Sequence, residues 1–181
     1  MTQSLKKYVN ESTSFHSANN TLNDVNSYKR AKEILEPYVK AALHDEGFMI
    51  QTSSDIEDYK YHSDLKIISY NGEKYNQPFN IDVKGNSEIN KHSFVFSFTK
   101  IDNNGKEFVI DENGYFAFVN ENTFEIYMIS QKKFMELTAN HKLYSSKKNK
   151  NSKYIWVDKN FIRNNANRII KPNNAINKML K

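Results

Sequence analysis

The segment Phe79-Asn80-Ile81-Asp82-Val83-Lys84-Gly85 decides how the chain is interpreted. Side chains two residues apart on a strand point to the same face of the sheet. The order of apolar and polar residues therefore predicts a strand in which Ile81 and Val83 enter the core. Asp82 and Lys84 then stand side by side on the other face.

A second acidic residue lies upstream, in Ser63-Asp64-Leu65, at the start of the apolar segment Leu65-Lys66-Ile67-Ile68. If the two segments form paired strands, Asp64 lies near Asp82. Carboxylate oxygens suit Mg²⁺, which needs only one or two of them and keeps several waters. We expect Asp64 and Asp82 to be metal ligands, with the backbone carbonyl of Val83 as a third.

Lys84 completes this predicted site. Its ammonium would orient an attacking water and offset the negative charge of a transferring phosphate. Two carboxylates, one ammonium and a divalent metal form the set needed for phosphodiester hydrolysis. The spacing therefore predicts a metal-dependent nuclease site.

The residues before these strands form a predicted helix, because apolar side chains recur at spacings of three and four from Asp24 to Glu46. Pro37 should kink this helix or lie in the first turn of a second one. A glutamate on the helix could support the metal or its water. Glu36 and Glu33 are both candidates, and we expect Glu36 to be the catalytic one.

The remaining pattern predicts further strands, at 48–52, 64–70, 92–101, 115–119, 124–129 and 154–157, and a short helix at 131–140. Asn71-Gly72 is a hairpin signal between the strands that carry Asp64 and Asp82. Phe94, Phe96 and Phe98 alternate, which favours a buried sheet face over a base-stacking surface. The order of elements predicts an α/β fold, with a central mixed β-sheet flanked by helices.

Composition narrows the class of protein. The chain has 181 residues and no cysteine, so disulfides and thiolate metal sites are excluded. No run approaches the roughly 18 apolar residues of a membrane span. The first residues, Met1 to Lys7, have no apolar core of a signal peptide. We expect a cytoplasmic protein without membrane contact.

The charge is positive and unevenly distributed. The formal net charge is +5, and eleven basic residues against one acidic residue lie between Lys142 and Lys181. Such a basic segment favours DNA or another polyanion as partner. The candidate nucleic-acid contacts in it are Lys147, Lys148, Lys150, Lys153, Arg163 and Arg168.

With these residues in place, the chain resembles the PD-(D/E)xK, or restriction endonuclease-like, nuclease superfamily. Asp64 matches the aspartate of the first half-motif, and Asp82-Val83-Lys84 matches the second. Ser63 replaces the proline of the first half-motif, and the position of Glu36 resembles that of the helical acid in Holliday-junction resolvase-like members. The resemblance implies a restriction endonuclease-like fold and Mg²⁺-dependent cleavage of DNA, with Mn²⁺ as a substitute.

The expected organisation is a polar N-terminal arm over 1–23, a nuclease core over 24–140 and a basic extension over 141–181 that packs on the core and contacts nucleic acid. One active site per chain cannot cut both strands of a duplex at once, so we expect a homodimer.

Three alternatives stay open. The triplet Asp64-Leu65-Lys66 could be the half-motif, with Asp55 or Asp58 upstream. The chain could also be a catalytically inactive relative that binds nucleic acid or acts as an inhibitor. A third interpretation is an RNA-binding accessory module that uses the basic tail.

Overall fold

The computed structural model of the chain describes residues 29–54, 56, 58, 63–85, 93–97, 110–145 and 153–180. The predicted polar arm over 1–23 lies outside these ranges, as do Asp55, Phe98, Lys147, Lys148 and Lys150. Along the described chain, the helices and strands are a π-helical turn Ala31–Leu35, α1 Glu36–Asp45, β1 Phe48–Thr52, β2 Leu65–Tyr70, β3 Glu73–Lys84, β4 Ser93–Ser97, β5 Tyr115–Asn120, β6 Glu125–Ser130, α2 Gln131–Thr138, β7 Tyr144–Ser145, β8 Lys153–Asp158, α3 Lys159–Asn165, β9 Arg168–Ile170, α4 Asn174–Asn177 and a 3-10 turn Lys178–Leu180.

The larger sheet has six strands in the order β1-β2-β3-β5-β6-β9. Its β3–β5 pair is parallel, and its other pairs are antiparallel. A smaller antiparallel sheet has the order β4-β8-β7. The predicted α/β class, with a central mixed sheet flanked by helices, is confirmed. None of the helices in the described ranges is long and apolar enough to cross a membrane.

The first helical segment changes its winding near Pro37. A π-helical turn ends at Leu35, and α1 starts at Glu36 with the proline in its first turn. Proline has no N–H to donate to the preceding turn, and the first turn is where this loss is tolerated. The helical backbone is continuous across Leu35 and Glu36, so Pro37 lies in the first turn after the winding changes from π to α.

The hairpin between β2 and β3 follows the sequence signal closely. Asn71 and Gly72 have φ angles of 48° and 86°, which are the left-handed values of a tight hairpin turn. β3 is longer than predicted, because it starts at Glu73 and passes through Pro78. The register with β2 is irregular between Ile67 and Ser69, and β5 pairs only with the last residues of β3. Pro78 thus falls where the ladder is irregular.

Two apolar cores lie on opposite faces of the larger sheet. On β5, Ala117 and Val119 face the core that contains α1, whereas Phe116 and Phe118 face the core that contains the smaller sheet, α2 and α3. Phe94 and Phe96 of β4 are buried in this second core, which confirms the predicted buried face for these two residues. The end of β3 therefore lies between two packed layers.

Candidate active site

Asp82 and Lys84 lie side by side at the end of β3. The Lys84 Nζ is 2.6 Å from Asp82 Oδ1, and Asp82 is only 3% exposed. Ile81 and Val83 are buried in the α1 core, while the Lys84 ammonium lies 5.9 Å from the centre of the Phe96 ring on the other side. The predicted same-face arrangement of Asp82 and Lys84 is confirmed.

Asp64 lies directly beside this pair, just before β2. Its N–H donates to the carbonyl of Ile81 at 2.8 Å, and its Oδ2 accepts a 2.7 Å hydrogen bond from the N–H of Val83. The antiparallel pairing of β2 with β3 fixes the backbone, and the Val83 amide fixes the carboxylate. Two of the predicted acids are therefore brought to the same end of the sheet.

A lysine that was not predicted occupies the other side of Asp64. The Nζ of Lys32, from the π-helical turn, lies 3.1 Å from Asp64 Oδ1 and 2.8 Å from Asp58 Oδ2. It also lies 2.9 Å from Oε1 of Glu36, one turn further along the helix. We call Lys32 and these three carboxylates the Lys32 cluster.

The structure distinguishes the two candidate helical acids by position. Glu36 is 5% exposed and lies in the Lys32 cluster. Glu33 points outward, with 62% of its side chain exposed, and pairs with Lys29 at 3.9 Å. Glu36 is thus the helical carboxylate at the site.

The charges of the cluster strongly affect each other. Burial, and then the neighbouring charge of Asp64, raise the pKa of Glu36 to about 7, although Lys32 counteracts them. Burial disfavours the charged form of Lys32, but its three carboxylate partners outweigh this and raise its pKa above the ordinary lysine value.

Lys84, which lies outside the Lys32 cluster, shows the same balance. Burial opposes its ammonium form, but Asp82 and then Asp64 raise its pKa. Both lysines are therefore cations at neutral pH.

Gly85, directly after the Asp82-Val83-Lys84 triplet, allows close packing at this site. A Cβ at this position would lie 2.5 Å from Cδ1 of Leu35 and 3.2 Å from Oε1 of Glu121. The absence of a side chain therefore lets the π-helical turn, which carries Lys32, approach the end of β3.

The oxygen atoms of the Lys32 cluster are chemically suited to a hard cation. Mg²⁺ binds carboxylate oxygens at about 2.0–2.1 Å, whereas those of the cluster lie 2.8–3.1 Å from the Lys32 nitrogen. Within the described ranges, no three His, Cys, Asp or Glu side chains form a metal site as they stand. The donor chemistry fits Mg²⁺, but a lysine holds the centre of these oxygens.

The alternative half-motif, Asp64-Leu65-Lys66, has a different environment. Leu65 is buried in the α1 core, and Lys66 lies on β2, opposite Asn80 of β3. Asp58, the possible upstream acid of this register, contacts Lys32. Asp64 and Asp58 therefore lie close to the site whichever half-motif is used. The two half-motifs differ in their lysine, which is Lys84 in one and Lys66 in the other.

The described candidate nucleic-acid contacts in the C-terminal segment have partners within the protein. Arg163 pairs with Glu125 at 3.2 Å, and Arg168 pairs with Glu46 and lies over the ring of Phe48. Lys153 begins β8. Their contact with nucleic acid stays a prediction.

Aromatic rings line the outer face of the smaller sheet. Tyr144 stacks on Tyr154 with ring centres 5.8 Å apart, and Tyr154 meets Trp156 edge to face at 6.1 Å. The ammonium of Lys142 lies 5.1 Å from the Tyr144 ring. This combination of rings and positive charge is of the kind that contacts single-stranded nucleic acid.

Lys32 is the site residue that the sequence interpretation missed. One signal was present: Lys32 and Glu36 have the i,i+4 spacing at which helical side chains meet. Asp58 was considered only for the alternative register. Its contact with Lys32 spans 26 residues of sequence, which no local pattern indicates.

Comparisons with known proteins give one structural match. No protein-family model matches the chain, and a search of the curated proteins finds no match. Among solved structures, the chain is similar to that of D212, a nuclease from a fusselovirus, with 17% sequence identity and a TM-score of 0.41. The match covers 90% of this chain and 94% of the other.

Proposed function

We propose that the chain is a Mg²⁺-dependent endonuclease that hydrolyses phosphodiester bonds in DNA through a PD-(D/E)xK-type site. The main support for this proposal is the 2.6 Å contact between Asp82 and Lys84. It lies next to Asp64, whose carboxylate accepts a hydrogen bond from the Val83 amide. Glu36 joins the same site through Lys32.

The residues suited to hold the metal are Asp64 and Asp82, with the carbonyl of Val83 as a further oxygen and Glu36 as the helical acid. Bound Mg²⁺, or Mn²⁺ in its place, supplies an activated water and neutralises charge on the phosphate. Asp64 is preorganised for this role, because the Val83 amide fixes one of its oxygens at 2.7 Å.

Lys84 supplies a fixed positive charge for the phosphate. Asp82 and then Asp64 raise its pKa against the effect of burial, which favours a role for Lys84 as a cation. Its N–H groups can orient the attacking water and stabilise the extra negative charge of the transition state. Asp82 holds the ammonium in position for this task.

DNA is the proposed substrate because the excess positive charge lies in the last 40 residues. Lys147, Lys148 and Lys150 are proposed phosphate contacts. Tyr154 and Trp156, on the outer face of the smaller sheet, offer rings for bases that leave the duplex. A homodimer would provide one site for each strand of a duplex.

Cleavage of supercoiled plasmid with Mg²⁺, and with chelator as the blank, tests the proposal. The wild type should cut only with Mg²⁺, and Asp82→Asn and Lys84→Met should each abolish cutting while far-UV circular dichroism stays unchanged. Lys66→Met is the matched control, since it removes the lysine of the alternative half-motif. Cutting by Asp82→Asn at the wild-type rate would refute the site, and loss of cutting in Lys66→Met alone would favour the other register.

The second candidate, a catalytically inactive nucleic-acid-binding or inhibitor protein, is favoured by one observation. Lys32 neutralises the carboxylates that a metal would use. In that case the protein would bind DNA equally well with Mg²⁺ and with chelator, and no preparation would cut plasmid, linear duplex, branched DNA or RNA.

A further inference from the structure

We propose that Lys32 is the resident cation of the site. Its ammonium holds Glu36, Asp58 and Asp64 together while no metal is bound, and it competes with a divalent metal for the same oxygens. This inference depends on the proposed function in one respect, namely that the metal binds at Asp64.

Three contacts of similar length place Lys32 at the centre of the cluster. Its Nζ lies 2.8 Å from Asp58, 2.9 Å from Glu36 and 3.1 Å from Asp64. These acids come from the segment after β1, from α1 and from the residue just before β2. One ammonium therefore connects three separate parts of the chain, as a bound metal ion would.

A neighbouring pair on the same helical segment shows that this arrangement is not a general property of the helix surface. Lys29 and Glu33 have the same i,i+4 spacing, but they lie 3.9 Å apart and their side chains are 66% and 62% exposed. The side chains of Lys32 and Glu36 are 28% and 7% exposed. Lys32 is thus directed into the site, where water screens its charge less.

The positive charge of Lys32 should weaken metal binding at Asp64. Asp64 has two carboxylate oxygens, of which Oδ2 accepts from the Val83 amide and Oδ1 contacts Lys32. A metal at Oδ1 has to displace the ammonium or bind next to a positive charge. Either event costs binding free energy, so removal of the lysine charge should tighten metal binding at least tenfold.

Without a metal, Lys32 should stabilise the folded protein. Three carboxylates that converge on one point repel each other unless a cation lies between them. Lys32 supplies that cation, so the protein keeps its ligands in place before the metal arrives. A protein without Lys32 should be less stable in chelator and should regain this stability when metal is added.

The first experiment measures Mn²⁺ binding to the full chain by isothermal titration calorimetry. Lys32→Met should bind Mn²⁺ at least tenfold more tightly than the wild type, and Lys29→Met, the matched control, should bind with wild-type affinity. The melting temperature of Lys32→Met should fall below that of the wild type in chelator and recover with Mn²⁺. Equal Mn²⁺ affinities of wild type and Lys32→Met would overturn the role of Lys32 and leave the metal site intact.

The second experiment uses only wild-type protein and so applies even if Lys32→Met does not fold. Acetylation of lysine amines by N-hydroxysuccinimide acetate is quantified by peptide mass spectrometry with and without Mn²⁺. The labelling rate of Lys32 should rise when metal is bound, while that of Lys29 stays constant. An unchanged or lower rate for Lys32 at saturating Mn²⁺ would overturn displacement, and the absence of any Mn²⁺ binding to the wild type would overturn the metal site of the proposed function as well.

Discussion

Two ion clusters of this protein have central charges of opposite sign. In the Lys32 cluster, one cation is surrounded by three carboxylates. In a second group, which we call the Glu125 cluster, one carboxylate on β6 accepts from Arg163 at 3.2 Å, from the Tyr127 hydroxyl at 2.9 Å and from the Thr123 hydroxyl at 3.4 Å, and Lys171 lies 3.6 Å away. The central charge of this cluster is therefore surrounded by two cations and two hydroxyl groups.

The two clusters have opposite effects on their acids. In the Glu125 cluster, burial opposes the charged form, but the donors around the carboxylate outweigh it, so the pKa of Glu125 is lowered. In the Lys32 cluster, burial and Asp64 raise the pKa of Glu36 to about 7. Glu125 connects β6 to Arg163 and Lys171 of the C-terminal segment, whereas the Lys32 cluster contains three carboxylates and one cation.

The largest expected effect is on the rate of DNA cleavage, which should depend on the Lys32 cluster and not on the Glu125 cluster. Asp64→Asn should lower the rate of Mg²⁺-dependent plasmid cleavage by roughly 10³-fold or more, because a metal ligand contributes several kcal/mol to the transition state. Glu125→Gln should leave the rate unchanged. Initial rates at saturating DNA measure both, and a similar loss in both variants would remove the functional distinction between the clusters.

The second effect is a pH dependence of stability that arises from Glu36. Because its pKa rises from 4.5 in the unfolded chain to about 7 in the folded protein, the folded state binds more protons between these values. The contribution of Glu36 to stability is therefore complete at low pH and is lost as the pH rises through 7, approaching about 3 kcal/mol. Urea unfolding in chelator should show that Glu36→Gln gains stability over wild type between pH 5 and pH 8.

Glu33→Gln provides the control for this pH effect. Glu33 lies one turn earlier on the same helical segment and outside the cluster. Its stability difference from wild type should be the same at both pH values. A difference for Glu36→Gln that also stays constant would show that the cluster does not disfavour the ionised acid.

The third effect is structural and belongs to the Glu125 cluster. Glu125→Gln should lower the free energy of unfolding by about 1–2 kcal/mol at pH 7, since a hydrogen-bonded charge is lost and the partly exposed partners are screened by water. Chemical denaturation measures this loss. An unchanged denaturation midpoint in Glu125→Gln would show that the Glu125 cluster does not stabilise the packing of the C-terminal segment on β6.

The smallest effect concerns DNA binding. Replacing Lys147, Lys148 and Lys150 by Gln should reduce the slope of log K against log salt by about 2 to 3, since each lost phosphate contact changes it by about 0.9. Arg163→Gln and Arg168→Gln should each change it by less than about 0.9, because Glu125 and Glu46 already pair with these residues. Fluorescence anisotropy over a salt series measures the slopes, and a change of about 0.9 in either single arginine variant would contradict this ranking.

Local patterns predicted the half of the site that depends on a single strand or hairpin. The Asp82–Lys84 contact follows from the two-residue period of a strand, and the Asn71-Gly72 turn places β2 next to β3. The position of Glu36 near the site was predicted from the helical period together with the resemblance to the PD-(D/E)xK superfamily. Each of these features is set by residues within one element or one turn.

Features set by contacts between distant segments could not be predicted in this way. The sequence predicts β4 as a strand but does not indicate its partner, β8. The paired residues run from Ser97 with Tyr154 to Ser93 with Asp158, so they are 57 to 65 positions apart in the chain. β9 was read as part of a basic tail, yet it forms the edge strand of the larger sheet. The contacts of Lys32 with Asp58 and Asp64 likewise depend on how the sheet and helix pack.

A calorimetric titration of Mn²⁺ into wild type and Asp64→Asn at neutral pH tests whether Asp64 belongs to the proposed divalent-metal site. Asp45→Asn, an exposed acid on α1 that pairs with Asn173, is the control. We expect saturable Mn²⁺ binding to wild type and Asp45→Asn, and at least tenfold weaker binding to Asp64→Asn. Wild-type affinity in Asp64→Asn, or no saturable binding to any of the three proteins, would contradict this expectation.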